Sequence, residues 1–155
     1  GVGGEPLLDL QEGEVCCHGT YESHLASILR RGLLAGGSQG QSFRRNVHFA
    51  VRPPGETVIS GMRQNCQIAV YVDLPRAARE GVRFYRSSNN VILSEGVDGA
   101  VPAAYIDKVW HIQRNVQIYP SPAGLNLQGA ALQSPAGELR CALQAYRSYH
   151  RGFCL

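Results

Sequence analysis

The run Gln67-Ile68-Ala69-Val70-Tyr71-Val72-Asp73 is the clearest strand in the chain. Its β-branched and aromatic residues suit a pleated, buried surface. Before it, Glu14 to His18 reads as a short strand. A helix over 20–31 follows, with Thr20 as its cap, Leu25, Ile28 and Leu29 on one face, and Gly32 as its stop. A glycine-rich loop spans 35–41, a strand covers Asn46 to Ala50, and Pro53-Pro54-Gly55 makes a sharp turn. A short helix is expected over 57–64.

After the central strand, Leu74 to Glu80 forms a brief helix with Pro75 near its start. Strands over 83–87 and 91–94 are joined by a tight turn at Asn89-Asn90, residues that tolerate positive φ. Residues 96–102 read as a loop, and 106–119 holds one or two further strands. Many short strands with two or three short helices indicate an α+β domain of mixed or antiparallel strands, not a doubly wound parallel sheet.

A chain of 155 residues fits one domain and buries a core without staples. Its expected organisation is a flexible leader over 1–13, the domain over 14–119, a Pro/Ser/Gly/Ala-rich linker over 120–137 and a C-terminal helix within 138–155. That helix carries Leu139, Leu143 and Tyr146 on one face. The glycines of the leader are no dinucleotide fingerprint, since no strand precedes them and no helix follows. The five cysteines are odd in number and contain no Cys-x-x-Cys pair, which predicts neither a disulfide framework nor a metal site. Reduced thiols point to an intracellular protein, cytoplasmic or nuclear. No apolar run is long enough to span a membrane.

The net charge of +3 says less than its distribution. The central third carries arginines at 44, 45, 52, 63, 76, 79, 83 and 86, whereas Lys108 is the only lysine in the chain. Arginine prevails where phosphate is gripped by two donors at once. The segments His18-Gly19-Thr20, Arg44-Arg45-Asn46-Val47-His48 and Phe84-Tyr85-Arg86-Ser87-Ser88-Asn89, in this order, describe a site for a charged dinucleotide. A histidine beside glycine pairs with ribose hydroxyls while the backbone approaches the ligand. Thr20 serves both as cap and as ligand contact. His48 is either a buried structural histidine or a support of the site. Ser60 and Arg63 either end a helix or meet a pyrophosphate, and Arg45 is either solvated or an RNA contact. Glu95 carries no assigned role.

These residues resemble the RNA 2′-phosphotransferase family of the KptA type, within the ADP-ribosyltransferase fold. The resemblance rests on His18-Gly19-Thr20 with the following SHLASILRRGL, on Arg44-Arg45-Asn46-Val47-His48-Phe49, and on FYRSSNNVILSEG at 84–96. Ile59-Ser60-Gly61-Met62-Arg63 and the strand IAVYVD fit between them, and GAVPAAYI matches loosely. The pattern is departed from at Asn46, in place of a histidine, at Asn90, in place of a common glycine, and at Ser94, in place of a threonine.

The resemblance implies NAD as co-substrate and, as partner, tRNA carrying a splice-junction 2′-phosphate. The implied products are nicotinamide and ADP-ribose 1″,2″-cyclic phosphate, formed through an ADP-ribosylated intermediate. It implies catalytic roles for Arg44 and Arg86, and NAD binding by His18, Gly19, Thr20, His48, Ser60, Gly61 and Arg63. The family's further Arg-His pair, from an N-terminal lobe, is expected to have no counterpart in this chain. Two other outcomes are compatible with the residues: ADP-ribosyl transfer to another acceptor, such as a terminal phosphate on nucleic acid, and a non-catalytic module for NAD or RNA.

Overall fold

The computed structural model describes residues 4–36, 45–55 and 62–120. The expected linker beyond Pro120, the C-terminal helix, most of the helix expected over 57–64, and the site candidates Arg44, Ser60 and Gly61 lie outside the described residues. The rest is α+β, and among the described residues every strand pairing is antiparallel. Along the chain come β1 (Cys17–Thr20), α1 (Glu22–Arg31), β2 (Leu33–Leu34), β3 (Val47–Phe49), β4 (Ile68–Val72) and α2 (Leu74–Arg79). They are followed by β5 (Tyr85–Arg86), β6 (Ile92–Ser94), β7 (Ala100–Val101), a 3₁₀ turn (Ala103–Tyr105), β8 (Ile106–His111) and β9 (Val116–Tyr119). The strands form a four-stranded sheet in the order β1-β4-β8-β9, a three-stranded sheet β3-β6-β5, and the small pair β2-β7.

β4 is central because its neighbours cover it on both edges and both faces. Ile68, Ala69 and Val70 are fully buried there and Val72 nearly so, which explains why its sequence reads as a nearly continuous apolar run. Phe49, Phe84, Ile92 and Val109 complete the centre of the core, with Phe49 and Phe84 stacked at a tilt 6.0 Å apart. Each such side chain contributes roughly 1.5–3 kcal/mol through burial. Residues 4–13 contain no helix or strand, yet they are tied down. The Leu7 N–H donates to the Phe84 carbonyl (2.7 Å), and Leu7 and Leu10 pack on the core.

α1 buries Leu25, Ile28 and Leu29, the i, i+3, i+4 stripe expected of an amphipathic helix. Glu22 in its first turn and Arg30 and Arg31 in its last complement the helix dipole. Its start differs from expectation. Thr20 belongs to β1, Tyr21 is the N-cap and makes no side-chain cap. The Glu22 N–H bonds instead to the Gln67 side-chain oxygen (3.1 Å), so the cap comes from the lead of β4. A second tie runs from Glu22 to the buried His111 of β8: His111 Nδ1 accepts the Arg114 N–H (3.2 Å), so Nε2 carries the proton donated to Glu22 (2.5 Å). α2 starts at Leu74 with Pro75 in the first turn, as expected, and the Asp73 carboxylate caps it by accepting the Arg76 N–H at 3.2 Å.

The hairpin β5-β6 turns through Ser87–Val91 with Asn90 at φ 62°. The expected loop at 96–102 in fact holds β7, which pairs with β2, a strand too short to announce itself in sequence. No helix among the described residues is long and apolar enough to cross a membrane.

Gly32 ends α1 with φ 81°, its N–H bonded to the Ile28 carbonyl at 2.8 Å. A side chain there would collide with the Val101 carbonyl of β7. Strain in the left-handed region adds to overpacking, so Gly32→Ala should destabilise the fold by roughly 2–4 kcal/mol. Urea denaturation measures this; a loss below about 1 kcal/mol would contradict the account.

Candidate active site

β1 leaves the core with alternating faces. Gly19 points toward Met62 and Cys66, and His18 points to the other side, where its ring meets Phe49 edge-on at 6.1 Å. His18 Nδ1 lies 2.8 Å from the His48 carbonyl on β3. A carbonyl only accepts, so Nδ1 carries the proton and Nε2 is left as an acceptor. Burial pushes the His18 pKa below 6.5, against the opposing pull of the His48 carbonyl, and the ring is neutral at neutral pH.

His18 borders a cleft of about 170 Å³, together with Thr20, Tyr21, His24, Ser27 and the apolar Ile28. Its walls are the end of β1, one face of α1, and Gly32 with β2 (Leu33 and Leu34). Tyr21 stacks edge-on to His24 at 6.2 Å, and its hydroxyl donates to Asn65 (3.0 Å). Thr20 is buried, and its carbonyl accepts the Gln67 N–H (3.0 Å). The arrangement offers a neutral imidazole acceptor, hydroxyls and an apolar floor, a set suited to a sugar with a flat substituent.

Arg86 stands on β5 and is not free. Its Nη1 and Nη2 donate to Glu14 Oε2 (2.9 Å) and Oε1 (2.7 Å), and Nη1 also donates to Asn90 Oδ1. The Glu14 side chain is 6% exposed and that of Arg86 22%. The hydrogen bonds from Arg86 hold the Glu14 carboxyl below its ordinary 4.5, and Glu14 in turn raises the Arg86 guanidinium above its own. Glu14 stands three residues before the start of β1 and four before His18. By chain reach, their Cα atoms are no more than about 14 Å apart.

The other expected residues fall as follows. His48 is half-buried on β3; its carbonyl serves His18, and its Nδ1 donates to the Asn46 carbonyl (3.2 Å). The Asn46 side-chain oxygen is buried with no partner among the described residues. Gly19 is required by the chain's own packing, since an added Cβ would strike Met62 and come within 2.9 Å of Cys66 Sγ. Arg63 is exposed, in the turn before Cys66, and does not line the cleft. Sequence reasoning did not single out Glu14, Tyr21, His24 or Ser27. His24 was discoverable one turn before Ile28 (i, i+4), and Ser27 one turn after His24 (i, i+3); Glu14 had no local signal. Among the described residues no group of three or more His, Cys, Asp or Glu could hold a metal ion.

His18 thus borders a polar cleft, while Arg86, anchored by the Glu14 carboxylate, does not line it. The model of the RNA 2′-phosphotransferase, Tpt1/KptA family matches residues 5–96, from the tied-down leader past β6. The chain belongs to this family. It is 40% identical over 114 residues to tRNA 2′-phosphotransferase 1 of Bos taurus, covering 72% of this chain and 40% of the relative. The protein of the same name from Homo sapiens is 39% identical over the same length and shares. That of Danio rerio is 37% identical over 111 residues, 71% of this chain and 44% of the relative. The chain thus spans about two fifths of the length of these curated relatives.

The Glu14–Arg86 pair makes stability depend on acid. A carboxyl with a lowered folded pKa stabilises fully above the unfolded value, about 4.5, and loses that contribution as pH falls through the folded value. Glu14→Gln should therefore lower the melting temperature at pH 7 but narrow the gap from the parent as the pH drops below 4.5. Melting curves at several pH values check this; a gap that stays constant down to pH 3 refutes the coupling.

Proposed function

We propose that this chain is the NAD-binding, ADP-ribosyltransferase-like part of an RNA 2′-phosphotransferase that removes a splice-junction 2′-phosphate from tRNA. The observation that carries the reading is the family match across 5–96, which encloses both the cleft histidine His18 and Arg86. The residues fit NAD in a limited sense. A cleft of about 170 Å³ takes one sugar with its substituent, not a whole dinucleotide, so the remainder would lie along neighbouring residues. Ser60, Gly61 and Arg63 are the proposed holders of that remainder. NAD supplies an electrophilic ribose carbon bearing a neutral leaving group, nicotinamide.

In this reading His18 Nε2 accepts a hydrogen bond from a ribose hydroxyl and fixes the sugar. Thr20 and Tyr21 border the same sugar, and Ile28 gives its substituent an apolar floor. Arg86, with Arg44, orients the RNA 2′-phosphate oxygen toward that carbon and balances charge there. Arginine suits the task because it stays protonated at any working pH.

Incubation with NAD and an oligonucleotide carrying an internal 2′-phosphate should release nicotinamide and leave RNA with a 2′-hydroxyl. Arg86→Ala should slow this by about 10²–10³-fold. His18→Ala should weaken NAD binding by about tenfold, the cost of one hydrogen bond to a neutral group. Stable labelling of a different acceptor by NAD would favour ADP-ribosyl transfer to that acceptor. NAD binding without turnover would favour a binding module.

A further inference from the structure

Arg86 has five N–H donors in a planar fork. Two, one on each terminal nitrogen, meet Glu14 end-on, and the second donor of Nη1 meets Asn90. What remains is Nε–H and the second donor of Nη2, and in a guanidinium these two lie side by side along one edge. No partner takes that edge among the described residues. Glu14 is itself held from behind. Its Oε1 accepts the Gln11 N–H (2.9 Å), and its own N–H donates to the Gln11 carbonyl (3.0 Å). Its neighbour Val15 donates to the Val51 carbonyl (2.9 Å).

We infer that Glu14 is a positioning residue that holds Arg86 so that its Nε–Nη2 edge grips the RNA 2′-phosphate by two parallel hydrogen bonds. The inference rests on the functional reading above and deepens it. A carboxylate 6% exposed and fixed by a backbone N–H is a poor candidate for displacement by incoming phosphate. The two anions are instead accommodated on different edges of one cation. With Glu14 neutralising much of the arginine's charge, the site selects by geometry: it favours a group presenting two oxygens at once, and a lysine cannot replace the fork.

The test measures binding of two short RNAs, identical except for an internal 2′-phosphate or 2′-hydroxyl, to the 155-residue chain and to Glu14→Gln, Glu14→Ala, Arg86→Ala, Arg86→Lys and Glu14→Gln/Arg86→Ala. Binding of NAD and thermal melting are followed in parallel. The parent should prefer the 2′-phosphate. Both Glu14 variants should lose most of that preference, roughly 10–100-fold, the cost of a hydrogen bond to a charged group, with NAD binding within twofold of the parent. Arg86→Lys should not restore the preference, and adding Glu14→Gln to Arg86→Ala should cost nothing more, which a merely structural role for Glu14 would not produce.

Should the Glu14 variants keep the preference, or reduce it equally without Arg86, the positioning role is wrong while the functional reading stands. Should the parent itself show no preference for the 2′-phosphate, the functional reading falls, and this inference with it.

Discussion

β1 belongs to the four-stranded sheet and is bridged to the end of β3 at Cys17–Ala50, and the site depends on that bridge. The Cys17 N–H and carbonyl both bond to Ala50 beside β3 (3.0 and 2.7 Å), while the other edge of β1 pairs with β4 from Cys17 to Thr20. Buried backbone groups must be paired, so β1 cannot slide without breaking pairing on both sides. A slip of one residue would also exchange its faces. His18 would then point at Met62 and Cys66, where only a glycine fits, and its bond to the His48 carbonyl would be lost. The two-sided pairing thus sets the orientation of the imidazole, and the fixed carbonyl sets its tautomer.

Elements that carry their own periodicity or punctuation could be read before folding. The Leu25-Ile28-Leu29 stripe with Gly32, the apolar run of β4, Asp73 with Pro75 and the Asn90 turn all rest on short-range physics. β2 and β7 could not, because two residues have no period. Their signal is spread over the chain: the backbone of β7 fills the space that side chains at Gly32 and Gly96 would need. Thr20 shows how a local preference loses. It has the chemistry of a cap, but its carbonyl is engaged by the Gln67 N–H, which keeps it in β1 and brings the Gln67 side chain to the helix start instead.

The site divides in the same way. His18 and Arg86 lay within motifs that the sequence singles out. Glu14 was not legible, because its contact with Arg86 spans 72 residues of sequence and leaves no trace near either end. Gly19 was read as room for a ligand; the structure gives it a reason within the chain, the close approach of Met62 and Cys66. Single positions with two candidate reasons are where sequence alone is weakest, since local rules cannot say which neighbour arrives.

Asn90 joins the turn to the site. Its φ of 62° is a conformation that glycine takes without cost and asparagine more readily than other side-chain residues. Asparagine brings something glycine lacks, an oxygen that accepts from Arg86 Nη1. Its neighbours stiffen the turn: Ser87 Oγ contacts Asn89 Oδ1 (2.6 Å) and accepts the Val91 N–H (3.1 Å). The guanidinium is therefore held on one side by a carboxylate from the lead of β1 and on another by the turn that follows its own strand. Two contacts from different parts of the chain fix a planar group far better than either alone, because rotation about the long side chain must break both. Asn90 thus holds a backbone conformation that glycine would adopt freely and adds that second contact.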